Sequence, residues 1–413
     1  MSSKVVAGPE ERHLAIRNEG EESQHSANHL GISRQEFVAR QDAVRVRARQ
    51  AGYDALVVIG RSFYDRCGDL AYLSNHFPAF PATVFSEHNR GMGHAFLLLP
   101  VDSEPTLITD PRRHREDLVA VTDVRSSSDL GKATIALLRQ RDLDRGRIGL
   151  VGDDILPATI DREIARELPD LALEAAPRVV SDLRARKSAE ELKLLRRAAL
   201  CADAGLRASV DQIATLNPSE RTTSAAGIAA SIRAGADFVR YLRVHSGHWS
   251  AAGSRWPPAT DRVIENGDVV ALDIIGAHQG YQFDVNRTTV KGTPSSRVRS
   301  LLDAVESATR AAVERCLAGT PIDEVVAAAT RSLVDRGFGS YVGPMIGHGI
   351  GLETVEEPYL QANNQEILEP GMVLCVEPGV FIPGWAGAAI EQEIIVRQDG
   401  PPEVITPTPT ILW

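Results

Sequence analysis

Sulfur is scarce in this chain: four cysteines (Cys67, Cys201, Cys316, Cys375) in 413 residues, none in a CxxC pair. That spacing excludes a disulfide framework and a thiolate metal cage, and it reads as free buried thiols in a reducing, cytoplasmic setting. No apolar run approaches the roughly 20 residues needed to span a bilayer. The opening stretch lacks the apolar core and small-residue cleavage site of a secretory signal, so residues 1–30, rich in Glu, Ser, Asn and Gly, are expected to form a flexible tail. An excess of basic charge is also missing. With a net charge of −10 and a pI near 5.6, neither nucleic acid nor an anionic membrane is an expected partner. No glycine-rich loop follows any predicted strand, so nucleotide binding has no support. What remains is a globular composition, 43% hydrophobic and 24% charged, in a chain long enough for two domains.

Alternating strands and helices over residues 31–180 predict an α/β domain with a partly parallel sheet. Its first helix should open at Ser33, where S-x-x-E offers a cap, and end at Gly52. The segments YDALVVIG, HAFLLLP, TLITD and RIGLVG read as strands. A domain boundary is expected near Val180, ahead of a long amphipathic helix that Ser188 can cap and whose positive end Glu190 and Glu191 suit. Beyond it, residues 185–413 read as an α+β domain, helical at first and mainly strand and turn over the last 70 residues.

The chemistry concentrates in two predicted hairpins of this second domain. Asp273 and Asp284 flank the turn His278-Gln279-Gly280, and Glu377 and Glu391 flank Pro383-Gly384. In symmetric hairpins the members of each pair are directly opposed. Like charges about 5 Å apart across strands repel, so two such pairs are costly unless a cation lies among them. His348, in GHGIG, is a fifth candidate. Four carboxylates and one imidazole suit Mn, Fe or Co better than a sulfur-rich zinc site would. Glu393 shares a strand face with Glu391 and is expected to be a solvated rim carboxylate.

The order D-x10-D-x2-R-T, G-H-G-I-G, V-E-P-G and I-E resembles metallopeptidase family M24, which includes Xaa-Pro dipeptidases, aminopeptidase P and methionine aminopeptidase. The likeness covers residues 185–413, and the preceding domain resembles the creatinase-like N-terminal domain of the prolidase branch. R-x-x-K-S-x-E-E at the boundary (Arg184, Lys187, Ser188, Glu190, Glu191) fits that branch too. The resemblance implies a pita-bread fold for the C-terminal domain and a homodimer. It also implies two divalent metal ions held by Asp273, Asp284, His348, Glu377 and Glu391, with Asp284 and Glu391 bridging. Two such ions polarise the bond attacked and acidify water between them, and Glu377 and His348 are the expected catalytic groups.

The substrate shell departs from the family pattern. Active members usually carry two more histidines; here Trp256 stands at or beside the first position and Val355 fills the second, in Gly351-Leu352-Glu353-Thr354-Val355-Glu356-Glu357-Pro358. His245 and His248 are near the first position but out of register, and they read as structural or surface residues. Ala389 replaces the usual arginine before the last glutamate. Losing one oxyanion donor typically costs about two to three orders of magnitude in rate. Trp256 and Val355 are therefore the expected substrate-binding positions, Trp256 offering an aromatic wall to an apolar or cationic group. Three readings stay open. One is a hydrolase of a C–N bond in a dipeptide or small molecule; the others are a metal-dependent lyase on the same fold and a non-catalytic binding homologue.

Overall fold

The computed structural model describes residues 31–413 apart from 87, 113 and 254, so the expected tail at 1–30 lies outside the described residues. Helix α1 (Arg34–Gln50) opens where Ser33 accepts a hydrogen bond from the Glu36 amide and stops just before Gly52, whose φ is +77°. Strands β1 (Ala55–Arg61), β2 (His94–Pro100), β3 (Thr106–Thr109), β4 (Asp123–Ser126), β5 (Arg147–Val151) and β6 (Ala172–Ala175) form one sheet in the order β4-β3-β2-β1-β5-β6. The β1–β5, β5–β6 and β3–β4 pairs are parallel, while β1–β2 and β2–β3 are antiparallel, which makes the sheet mixed. Helices α2 (Gly68–Ser74), α3 (Leu130–Gln140) and α4 (Ala158–Glu167) complete this α/β layer.

The expected boundary at Val180 falls inside a short helix, α5 (Arg178–Arg184), where Val180 is fully buried in the first domain's core. The long helix α6 (Ala189–Ile213) begins with a complete capping box, Ser188 and Glu191 each satisfying the other's backbone amide. It packs with α7 (Glu220–Arg233) on one face of an antiparallel sheet of β7 (Phe238–Ser246), β8 (Val269–His278) and β9 (Tyr281–Val290). Leu206, Leu242, Leu272, Ile274, Phe283 and Val285 share that core, and fully burying each such side chain is worth about 1.5–3 kcal/mol. A second helix pair, α8 (Ser296–Val313) and α9 (Ile322–Asp335), covers the remaining strands. These are β10 (Met345–Gly349), β11 (Glu356–Gln361), β12 (Val373–Val376), β13 (Gly379–Ile382), β14 (Ala386–Ala389), β15 (Gln392–Ile395) and β16 (Glu403–Val404). They form a five-stranded sheet, β11-β10-β12-β15-β16, and a β13–β14 hairpin. Two helix-backed sheets meeting across their inner faces give the pita-bread architecture.

No described helix is long and apolar enough to cross a membrane. All four cysteines are buried and unpaired.

Candidate metal centre

The aspartate hairpin turns on Gln279 and Gly280, both at positive φ (+50° and +81°), a two-residue turn that matches strand twist. Its register pairs Asp273 with Asn286 and Ile275 with Asp284. The two aspartates are therefore diagonal neighbours, not directly opposed as the symmetric reading expects. Shifting the turn centre by one residue moves each partner by two, so both still point to one face. The glutamate pair behaves differently. The pairs Val376–Gln392 and Gly379–Ala389 on either side leave Glu377 and Glu391 across from each other where the chain passes from β12 and β15 to β13 and β14.

The second sheet adds a row across its inner face, His348 opposite Cys375 and Cys375 opposite Glu393. Gly347 makes this row possible. At φ +152° its Cα lies so near β12 that a Cβ there would stand 2.0 Å from the Cys375 carbonyl oxygen. Ligand atoms of Asp273, Asp284 and Glu391 lie within 4.8 Å of one another, as do those of His348, Cys375 and Glu391. Glu391 belongs to both groups. Burial, followed by Glu391, Glu393 and Asp284, pushes the Cys375 thiol well up.

Strand β9 is the edge of its sheet, and its amides are covered by acids from the other one. The Asp284 amide donates to Glu393 Oε1 (2.9 Å) and the Asn286 amide to Glu391 Oε2 (2.8 Å). Each carboxylate is thereby anchored by one oxygen, and Glu391 Oε1 and Glu393 Oε2, both buried, have no hydrogen-bond partner. Glu393 is 1% exposed, which corrects the expectation of a rim carboxylate: strand alternation gave its face, but register puts that face between the sheets. Arg287, three residues beyond Asp284, is spent elsewhere: it donates to the carbonyls of Pro409, Asn286, Glu391 and Thr408 and to the Gln392 side chain.

Packing several acids into one buried space raises their affinity for protons. Burial pushes Asp273 up to about 6, against the opposing pull of Arg243, and pushes Glu393 up to about 8. Asp284 and Glu391 are driven well above the carboxylate range by burial and then by their acidic neighbours, Asp273 first for Asp284 and Asp284 first for Glu391. For His348, burial pulls downward, but its hydrogen bond and charge contact with Glu377 at 3.4 Å outweigh that, and the net shift is upward. His348 Nδ1 lies 2.9 Å from the Gly349 carbonyl, which fixes Nδ1 as the donor and aims Nε2 at Glu377 and Asp284. Partnerless buried oxygens, an oriented imidazole nitrogen and surplus negative charge suit hard divalent cations.

Residues 193–398 match the model of metallopeptidase family M24. Through them the chain belongs to that family. An Xaa-Pro dipeptidase from Pyrococcus horikoshii is 32% identical over 223 residues, 54% of this chain and 63% of that protein. The chain thus spans under two thirds of that relative's length. One from Lactobacillus helveticus is 27% identical over 341 residues, covering 81% of this chain and 92% of its own. Among solved structures, dipeptidase PepE from Mycobacterium ulcerans superposes with a TM-score of 0.76 at 28% identity, covering 92% of this chain and 98% of that one. The prolidase from Pyrococcus horikoshii OT3 gives 0.77 at 23% identity over 91% and 100%.

A cavity of about 300 Å³ opens beside this acid cluster, lined by Asp273 and Glu377 together with Arg243, His245, Asn286, Tyr341, Phe381 and Ala389. Trp256 does not line it: its side chain is 86% exposed. Val355, at 47% exposure, lies outside it too. The 352–355 loop is instead tied down by its neighbours. Lys187 Nζ reaches Glu356 Oε1 at 2.7 Å, Arg184 bonds Glu356 and Asp69, and the Gly68 amide donates to Glu353. This knot accounts for Arg184 and Lys187 of the boundary motif. His248 is exposed against Trp249, but His245 is buried on the cavity wall with no partner at Nε2. Burial, then Arg255, lowers His245 to about 4, so it is neutral. Spacing set His245 aside as structural or surface and gave no reading of Arg243. Their strand positions opposite Ala271 and Asp273 were the available signal.

Proposed function

We propose that this chain is a metal-dependent hydrolase of a C–N bond in a dipeptide or other small molecule, similar to Xaa-Pro dipeptidases but with a rewritten substrate shell. The observation that carries it is the set of anchored yet half-unsatisfied buried carboxylates, Glu391 and Glu393, beside Asp273, Asp284, Glu377 and an imidazole with an oriented Nε2. Asp273, Asp284, His348, Glu377 and Glu391 would hold two divalent ions, with Mn, Fe or Co preferred to Zn by the oxygen-rich donors. When bound, such ions supply Lewis-acid polarisation of the carbonyl attacked and an acidified water.

The chain's own part is orientation and proton handling. Glu377 is 30% exposed at its side chain and lines the cavity, so its carboxylate can take a proton from attacking water and return it to the leaving nitrogen. His348, oriented by the Gly349 carbonyl through Nδ1, presents Nε2 to the same space, 3.4 Å from Glu377.

The deciding assay is a panel of Xaa-Pro dipeptides with added Mn, comparing wild type with Asp284→Ala, run in oxygen-18 water. Label in the product of the wild type, lost with the variant, supports hydrolysis. An unlabelled, unsaturated product favours the lyase reading, which the placement of Val355 and Trp256 outside the cavity keeps in play. Substoichiometric metal with no gain on adding Mn leaves the binding-homologue reading. Sedimentation velocity tests the homodimer.

A further inference from the structure

The first domain holds another cavity, of about 170 Å³, which shares no lining residue with the one beside the acid cluster. His76 stands on its wall just past Asn75, the left-handed residue that ends α2, and His114 stands in the loop after β3. The two rings meet edge to face with their centres 6.0 Å apart. His76 is 9% exposed, yet among the described residues neither imidazole makes a hydrogen bond. The Thr109 hydroxyl, buried on the same wall, is unpartnered too.

The charged groups on this wall are committed to one another. Arg112 donates to both oxygens of Asp110 and to the carbonyls of Ala79 and Pro81, Asp110 also accepts from the Gly93 amide, and Arg115 is paired with Asp117. Among the described residues that line the cavity, no unpaired arginine is left to hold an anion. What the cavity does offer is imidazole. Burial, and then His114, lowers His76 to about 4, so its ring is neutral and keeps a nitrogen lone pair. Two imidazoles that share one tetrahedral zinc at about 2.0–2.1 Å have ring centres roughly 5 Å apart, so a shift of about 1 Å closes this pair on an ion. We propose that His76 and His114 form an accessory metal site, separate from the acid cluster, for a borderline cation such as zinc. Imidazole donors favour such ions, whereas Mn is better suited by oxygen. Two protein ligands leave the other positions to water, for which the Thr109 hydroxyl is a hydrogen-bond partner.

Equilibrium dialysis of the full, untagged chain against zinc alone and against Mn alone, with bound metal counted by mass spectrometry, tests the proposal. His114→Phe keeps an aromatic edge against His76 but removes both ring nitrogens. His114→Cys supplies a different zinc ligand at the same place. Wild type should take up one more zinc per chain than His114→Phe, and His114→Cys should recover it. His114→Gln, which needs no room for a ring, should show the same deficit of one zinc as His114→Phe. Mn uptake should be equal in all four proteins. The deficit should persist when each variant is combined with Asp284→Asn, so this site is read independently of the two-metal reading of the acid cluster. Equal zinc uptake by wild type, His114→Phe and His114→Gln overturns the proposal and leaves the two rings as a packing pair. A deficit that Mn shows equally, or that vanishes in the Asp284→Asn background, also overturns it, because the metal lost then belongs to the acid cluster.

Discussion

Removing Asp284 should make the metal-free protein more stable, not less. Asp284 is 7% exposed, and its oxygen lies within 4.8 Å of oxygens on Asp273 and Glu391. Its nearest basic group, His348 Nε2, is 3.9 Å away. Two ionised carboxylates at that separation repel by about 3 kcal/mol at an effective dielectric constant near 20. Burial and these neighbours hold Asp284 well above the ordinary range, so at pH 8 the metal-free cluster either keeps protons or bears the repulsion. Asn fits the same volume and carries no charge. In the presence of a chelator at pH 8, Asp284→Asn should therefore gain about 3 kcal/mol, on the order of 5 °C in melting temperature. Mn reverses the ranking. At about a hundred times Kd each occupied site adds roughly 2.7 kcal/mol to wild type, while the variant should respond weakly or not at all. Calorimetric melting with and without chelator measures both shifts. An Asp284→Asn protein that melts below wild type in chelator, and still gains the full increment from Mn, would refute the reasoning.

The buried Glu353 carboxyl is pushed up to about 7 by burial, against the pull of Arg184, so the folded state binds a proton the unfolded state releases. Stability should fall by about 3 kcal/mol as pH rises from 4.5 to 7, and Glu353→Gln, which keeps an acceptor for the Gly68 amide, should remove that loss in urea melts above pH 7 while matching wild type below pH 4.5. Gly347→Ala should cost more than about 3 kcal/mol and displace His348, because the new methyl meets the Cys375 carbonyl; a normal melting curve with full Mn stoichiometry would contradict this. Arg287→Met should orphan the carbonyls of Asn286, Glu391, Thr408 and Pro409 at a cost of about 3–5 kcal/mol, and hydrogen exchange should rise first over residues 403–413.

Much of the fold was legible because local signals agreed. The Ser33 and Ser188 caps and the amphipathic run that became α6 needed no tertiary information. Strands β4 and β6 were not read because they are four residues long and lie at the two sheet edges with none of their residues buried, so neither alternation nor an apolar run marks them. The acid cluster was legible because acids inside apolar strands are chemically out of place. Arg243 and His245 are equally out of place, yet a lone basic residue has no local partner to give it meaning. For Arg243 that partner is Asp273, thirty positions on and visible only in the register.

Presence of the ligand residues is not by itself an argument for catalysis here, and the structure says which of them have another reason to exist. Glu391 and Glu393 cap the amides of edge strand β9, and removing either would expose a strand edge between two sheets. A chain that had lost its chemistry would still need them to hold the domain together. Asp273 and Glu377 cap no strand amide among the described residues. Asp273 bonds Arg243, which also lines the cavity, and Glu377 lies 3.4 Å from His348 at a cavity wall. The proposed cations and substrate would give both a use. Metal content and ligand binding in variants of Asp273 and Glu377, rather than of Glu391, are therefore the measurements that separate a working enzyme from a well-built shell.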